Sequence, residues 1–243
     1  MTIALFSDVH ANFPAFEAFL KDLDARKIDA VYCLGDLIGY HISPNEIIEE
    51  VRKRKIVSIA GNHDLKVKKH TDHNQENDIK NYAYHLVSEN NRQYLNALPS
   101  TIKSAYRFDQ KSLNLVLAHG SPRSVNEYIL EDLEENYLLE MMEEVDADVL
   151  CVGHSHKPFH RIIQNQENKF KHIINIGSVG KPKDGNPEGC YALLTINSAT
   201  EASNHSAIKV EFIRFSYDIA KAVKEIENSP LPNELADRLR NAY

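Results

Sequence analysis

Five short apolar runs in this chain each stop at residues able to bind a cation. Ala4-Leu5-Phe6 leads into Ser7-Asp8-Val9-His10, and Val31-Tyr32-Cys33-Leu34 leads into Gly35-Asp36. Val57-Ser58-Ile59-Ala60 leads into Gly61-Asn62-His63-Asp64. Leu113 to Ala118 ends at His119-Gly120, and Val149 to Val152 ends at Gly153-His154-Ser155-His156. A buried strand that ends in a polar turn projects those side chains past its carboxyl end. One such end is an ordinary surface turn. Five of them are hard to explain as packing.

The spacing between the runs sets the fold class. Phe13, Phe16, Leu20 and Leu23 recur at helical spacing after the first run. Ser43 and Pro44 open a second helix, to about Lys55, and Ile56 to Ala60 makes the third strand. Strand, helix, strand, helix, strand implies right-handed βαβ units, a parallel core and an α/β protein. Ile79, Tyr82, Ala83, Leu86 and Val87 predict an amphipathic helix continuing to about Leu95. We expect one domain over residues 1–243, with a helical insertion at about 65–99 beside the site. Leu130, Leu133, Tyr137, Leu138, Met141 and Met142 predict one helical core face. From Phe159 onward the texture alternates in short runs, which predicts a second, largely antiparallel sheet.

Charge and cysteine usage narrow the function. The net charge of -7 and pI of about 5.9 argue against a general binder of nucleic acid or membrane surface. No run of ~18 apolar residues predicts a membrane span. The start reads directly into a strand, without the basic segment and apolar core of a signal peptide. Cys33, Cys151 and Cys190 each sit beside apolar strand residues, which suggests buried thiols in a reducing compartment. We therefore expect a cytoplasmic protein.

Asp8, His10, Asp36, Asn62, His119, His154 and His156 make seven donors. One ion takes four to six, so seven suit two ions if Asp36 bridges them. Nitrogen and oxygen donors without thiolate favour Mn²⁺, Fe or Zn²⁺ over Ca²⁺, with Ni²⁺ a further option. Two divalent ions against Asp8, Asp36 and a bridging hydroxide leave a charge of roughly +1, which attracts phosphate. Such a pair suits in-line attack of that hydroxide at phosphorus. His63 follows Asn62, so its side chain is expected to point away from the ligand set. There it would protonate a leaving oxygen or steady the transition state. Asp64 would orient His63 or cap its loop. Asn12, Asn62, His63, Gly177 and Ser178 are the candidate substrate contacts, the last two through backbone N–H groups. Lys181 and Lys183 add positive charge nearby.

In order and rough spacing, these five blocks resemble those of the calcineurin-like metallophosphoesterase superfamily. The resemblance runs from residue 3 to about 218. It implies a four-layer αββα sandwich, two mixed β-sheets flanked by helices. It also implies that Asp8, His10, Asp36 and His156 hold one ion, and Asp36, Asn62, His119 and His154 the other. His63 matches the superfamily's general-acid histidine. Gly35-Asp36 followed by Gly39-Tyr40-His41, and Asn175 to Asp184, look like the compact bacterial and archaeal phosphodiesterase-like branch. Ala11 stands where that branch usually has glycine, and His41-Ile42 replaces a Gly-Pro pair.

The expected activity is hydrolysis of a phosphodiester or nucleotide phosphoanhydride, with Asp36 and His63 as catalytic groups. A phosphomonoesterase of the same fold is the alternative, and a non-catalytic scaffold a more distant one. The expected partner is a small phosphoester or nucleotide. No membrane and no stable nucleic-acid partner are expected. Segment 65–99 would lid the pocket or pair subunits in a homo-oligomer.

Overall fold

The first strand has no polar face. β1 (Thr2–Phe6) turns Ile3 and Leu5 into one core and Ala4 and Phe6 into another, and all four are buried. A strand covered on both sides belongs in the middle of a layered fold. The computed structural model describes residues 1–68, 81–108, 111–196 and 208–243. After β1 come α1 (Phe13–Asp24), β2 (Ala30–Cys33), α2 (Pro44–Lys53) and β3 (Val57–Ser58). A 3₁₀ turn over Asp64–Lys68 follows, then α3 (Tyr82–His85), α4 (Glu89–Asn96), β4 (Thr101–Phe108) and β5 (Lys111–Ala118). The second half holds α5 (Glu135–Glu144), β6 (Val149–Val152), β7 (Phe159–Gln164), β8 (Phe170–Asn175), β9 (Gly189–Thr195) and β10 (Lys209–Phe215). It closes with α6 (Ile219–Glu227) and α7 (Glu234–Asn241).

Two five-stranded sheets result, ordered β10-β9-β1-β2-β3 and β4-β5-β6-β8-β7. Both are mixed. β1, β2 and β3 run parallel, as do β5, β6 and β8, while β9, β10, β4 and β7 pair antiparallel. Among the described residues, the strands after Phe159 do not form the separate antiparallel sheet expected of them. They divide, β7 and β8 joining β6 and β9 and β10 joining β1. Alternation marks a residue run as a strand without saying which sheet it joins.

Side-chain alternation builds four layers. Ile3, Leu5, Leu115, Leu117, Val149, Cys151, Ala192 and Leu194 pack between the sheets. Phe6, Tyr191 and Leu193 face α1 and α2, meeting Phe16, Phe19 and Ile47. Val116, Leu150 and Val152 face α5, meeting Leu138, Met141 and Met142. Asn12 caps α1 by accepting the Ala15 N–H at 3.2 Å, and Pro14 sits in its first turn.

Three expectations shift in detail. The third strand pairs over only Val57–Ser58. The predicted core stripe from Leu130 begins instead with α5 at Glu135, and Leu130 and Tyr137 are exposed. The continuous helix expected through residue 95 is broken at Ser88, whose backbone is extended. Arg92 explains the break. Its buried guanidinium donates to the carbonyls of Tyr84 and Val87, and across to Val67. Ile79, the first residue of that stripe, lies outside the described residues. No helix among the described residues is long and apolar enough to cross a membrane.

Candidate metal centre

The loops leaving the parallel strands are stitched to one another by backbone bonds. Asp8 N–H donates to the Gly35 carbonyl, His10 N–H to that of Asp36, and Gly153 N–H to that of His119. These bonds prolong the sheets past their carboxyl ends and hold the polar turns side by side. Asp8, His10, Asp36, His154 and His156 all adopt left-handed backbone, with φ between 51° and 64°. Each costs a non-glycine residue roughly 1–2 kcal/mol. Strain gathered on five neighbouring polar residues marks a site held for function. Glycines make the room. A Cβ on Gly61 would collide with the Asp36 carboxylate, and one on Gly153 would come within 2.7 Å of Asp8 Oδ2.

The seven donors meet. His156 Nε2 lies 3.0 Å from Asp8 Oδ1 and 3.1 Å from His10 Nε2. Asp36 Oδ2 lies 3.7 Å from His10 Nε2 and 3.4 Å from His119 Nε2. His119 Nε2 is 3.0 Å from Asn62 Oδ1. Asp8, His10 and His156 place ligand atoms within 4.8 Å of one another, as do Asp36, His119 and His154. One oxygen of Asp36 thus reaches both groups, and all of these histidines and carboxylates are buried.

Hydrogen bonding shows what this cage is built to hold. The Nδ1 atoms of His10, His119 and His156 face the carbonyls of Ile38, Leu34 and Lys181. A carbonyl only accepts, so each Nδ1 carries a hydrogen, and any of these rings that is neutral turns a bare Nε2 inward. Two such lone pairs 3.1 Å apart, on His10 and His156, repel unless a cation lies between them. Asp8 Oδ1 and His154 Nε2 are buried without a hydrogen bond. Buried acceptors aimed at one another fit a divalent ion.

The electrostatics agree. Burial would raise Asp8 and Asp36, but the surrounding imidazoles outweigh it and hold both carboxyls well below their usual range. Burial pushes His156 down to about 4, against the pull of Asp8. Burial and then His119 lower His154. His119 is opposed by burial, yet Asp36 and Asp8 push it up to about 10. In the metal-free chain a proton on His119 offsets part of the negative charge that a divalent ion would neutralise.

The residues around the cage divide into two kinds. His63 does not point away, as its neighbour Asn62 suggested. Its ring stands edge-on to His10 with centroids 4.9 Å apart, and it offers an atom within 4.8 Å of His10 and Asp36. Burial, only partly countered by Asp36, lowers it well below an ordinary histidine. Asp64 caps the loops instead of orienting His63. Its two oxygens accept the backbone N–H groups of Asp36, Leu37 and Gly61 at 2.7, 3.0 and 2.9 Å. Burial and the nearby Asp36 push its acid up to about 7, against the backbone donors.

Asn12, Gly177 and Ser178 are committed elsewhere, contrary to their expected substrate contacts. Asn12 donates to the Gly180 carbonyl at 2.8 Å and accepts from Ala15. Gly177 N–H donates to Asn175 Oδ1, and Val179 and Gly180 N–H donate to the Ser7 and Asp8 carbonyls. Ser178 Oγ donates to the Asp8 carbonyl and accepts from Lys181 N–H. With the N–H groups of Gly177, Val179 and Gly180 so engaged, this turn supports the Asp8 loop.

Three tyrosines went unread as site residues. Tyr40 packs on His10 and His63, with the Lys181 ammonium 4.9 Å from its ring centroid. Tyr128 stacks on His154 at 4.1 Å while remaining 51% exposed. Tyr84 reaches His63. None has a fixed offset from a ligand that sequence spacing would reveal. Burial pushes Lys181 down to about 7, helped by Lys183 and Arg238.

A carboxylate set between two groups of imidazoles at the ends of parallel strands fits a broad class, the metal-dependent phosphoesterases. The chain belongs to the calcineurin-like phosphoesterase superfamily, whose domain model matches residues 1–199. It is 31% identical to the uncharacterized protein MJ0912 of Methanocaldococcus jannaschii, over 98% of this chain and 96% of that one. It also resembles a metallophosphoesterase from Sphaerobacter thermophilus, 28% identical with a TM-score of 0.78, covering 100% and 99% of the two chains. A hypothetical protein from Pyrococcus horikoshii, PH1004, shares the fold at 21% identity and the same TM-score, over 100% and 98%.

Proposed function

We propose that this phosphoesterase works with two divalent cations sharing Asp36, and that it cleaves phosphodiesters or nucleotide phosphoanhydrides. The observation that carries this reading is the position of Asp36 Oδ2 between His10 Nε2 and His119 Nε2. Asp8, His10, Asp36 and His156 would hold one ion, and Asp36, Asn62, His119 and His154 the other. Bound ions of this kind offset phosphate charge and lower the pKa of water. Manganese or iron suits the mixed donors best, with zinc or nickel as alternatives.

The chain's own groups do the rest. Asp36 Oδ1 accepts the His63 N–H at 2.7 Å, so the shared carboxylate is fixed by the residue that flanks it. His63 stands at the rim, where it gives a hydrogen to the leaving oxygen. Tyr40 and the buried walls limit water around His10 and His63. Residues 1–243 form a single domain in this reading, with segment 65–99 beside the pocket. The three buried free thiols suit a reducing, cytoplasmic setting.

Replacing His63 by alanine should lower turnover of an alkyl phosphodiester by about 10²-fold while both ions stay bound. Steady-state rates alongside metal analysis check this, and near-normal turnover would reject the role. Activity itself is tested with Mn²⁺ on bis-p-nitrophenyl phosphate against p-nitrophenyl phosphate, then on dinucleoside polyphosphates. Preference for the monoester would replace the diesterase reading with a phosphomonoesterase. Failure of every phosphoester would remove the enzyme reading.

A further inference from the structure

Tyr128 is a large aromatic residue left open to solvent beside the cage. Its ring stacks on the His154 imidazole, with centroids 4.1 Å apart and planes 23° from parallel, yet half of the residue is exposed. One face of the ring covers His154, and the opposite face carries the exposure. The position is anchored from within the fold. Ile129, the next residue, is buried with Val116, Leu150 and Leu138 of α5. Leu130, one further on, is exposed again.

A cleft of about 580 Å³ opens along the same segment. That volume lies within the ~300–1,000 Å³ of ordinary small-molecule sites. Leu130 and Phe159 give it apolar walls. Ser155 also lines it and stands between His154 and His156 in sequence, so the cleft reaches the rim of the cage. Its walls are tied together. Arg161 of β7 donates to the Glu131 and Leu133 carbonyls, which holds residues 131–133 against that strand. Ser155 Oγ accepts the Asn175 amide at 2.9 Å. The charged groups of the cleft are Glu131, Asp132 and Lys157. Two carboxylates against one ammonium disfavour a second phosphate there. They suit an uncharged ring that carries N–H donors.

We propose that Tyr128 and this cleft form a subsite for the nucleobase of a nucleotide ester, with Tyr128 as its stacking platform. The subsite rests on the phosphohydrolase reading and narrows it to substrates that carry a base beside the scissile phosphate. Every base has a π face, so an open aromatic ring holds bases by stacking, whatever their sequence. A simple alkyl phosphoester gains nothing from that ring. The phosphate goes to the cage, and the sugar spans from there to the base on the outer face of Tyr128. Glu131 and Asp132 then accept the amino hydrogens of adenine, guanine or cytosine. Tyr128 touches no reacting atom. It is a specificity residue, and its contribution falls on substrate affinity.

Calorimetry on the Mn²⁺-loaded protein tests this with adenosine 5′-monophosphate against ribose 5-phosphate, which keeps the sugar and phosphate and lacks the base. The wild type should bind the nucleotide at least about 10-fold more tightly. Tyr128→Leu, which still covers His154 with an apolar side chain, should bring that ratio below about 3-fold. Tyr128→Phe and Tyr128→Trp should keep it. In turnover, the methyl ester of the nucleotide should have a lower KM than the methyl ester of ribose 5-phosphate, and Tyr128→Leu should remove the difference. A tyrosine that only braced His154 would instead lose metal and weaken both ligands alike. Failure to bind the nucleotide, no preference for it in the wild type, or an unchanged ratio in Tyr128→Leu would overturn the subsite and leave the hydrolase reading standing. A base-dependent ratio in a protein that cleaves no phosphoester would keep the subsite and overturn the hydrolase reading.

Discussion

Asp36→Asn should strip both cations and lower turnover by at least about 10³-fold, equivalent to about 4 kcal/mol of barrier. Asp36 Oδ2 approaches both groups, at 3.7 Å from His10 Nε2 and 3.4 Å from His119 Nε2. Asparagine keeps the size and removes the charge. Its oxygen can still accept the His63 N–H that Asp36 Oδ1 accepts now. The amide NH₂ then faces two imidazoles whose Nδ1 atoms already donate to carbonyls. An amide nitrogen offers no lone pair to a metal, so each pocket loses a ligand in one substitution. Substituting Asp8 removes a carboxylate from only one group and should spare the other ion more. Metal analysis of the dialysed variant checks the claim. Retention of two ions per chain by Asp36→Asn would remove the shared ligand from the account.

The second large effect is on folding. Asp64→Ala should destabilise the metal-free protein by about 3 kcal/mol or more, because three buried backbone N–H groups lose their acceptor. Those groups belong to Asp36, Leu37 and Gly61, so the loops after β2 and β3 lose their common anchor. Such a loss is a large fraction of an ordinary domain's ~5–15 kcal/mol. Asp64→Asn should fall between, since one amide oxygen replaces two carboxylate oxygens and the NH₂ opposes a backbone donor. Denaturant unfolding with chelator present reads the fold directly. A change below about 1 kcal/mol in Asp64→Ala would mean that the loops are held some other way.

The donors that gather here could be picked out in the sequence because they depend on residue type at strand ends. Asp8, Asp36 and His119 each follow an apolar run, and the parallel strands that carry them must open at one edge of their sheets. Substrate contacts were harder, for a physical reason. Asn12 and Ser178 have the chemistry of phosphate ligands, yet the turn uses the same atoms to cap α1 and to hold Asp8. Sequence gives a polar atom's type and not whether the backbone has already engaged it. Tyr84 and Tyr128 were invisible for another reason, since Tyr84 falls outside the apolar stripe of its segment and Tyr128 lies between regular elements. Strand membership behaved likewise. Alternation located β7 to β10, but long-range pairing decided which sheet each joined.

Ala11 and His41 stand at the two positions where the sequence resemblance led us to expect other residues. Ala11 takes φ +58°, the backbone that glycine adopts without strain, and it is fully buried. His41 donates through Nε2 to the Ala222 carbonyl of α6 at 2.9 Å, and its Nδ1 accepts the Ile42 N–H. The histidine therefore fastens α6 to the rim beside Tyr40.

Anomalous diffraction from crystals grown with ample Mn²⁺ tests the central claim most directly. Two peaks are expected, one among Asp8, His10 and His156 and the other among Asn62, His119 and His154, both in contact with Asp36. No peak at these side chains, or ions that leave Asp36 untouched, would contradict it.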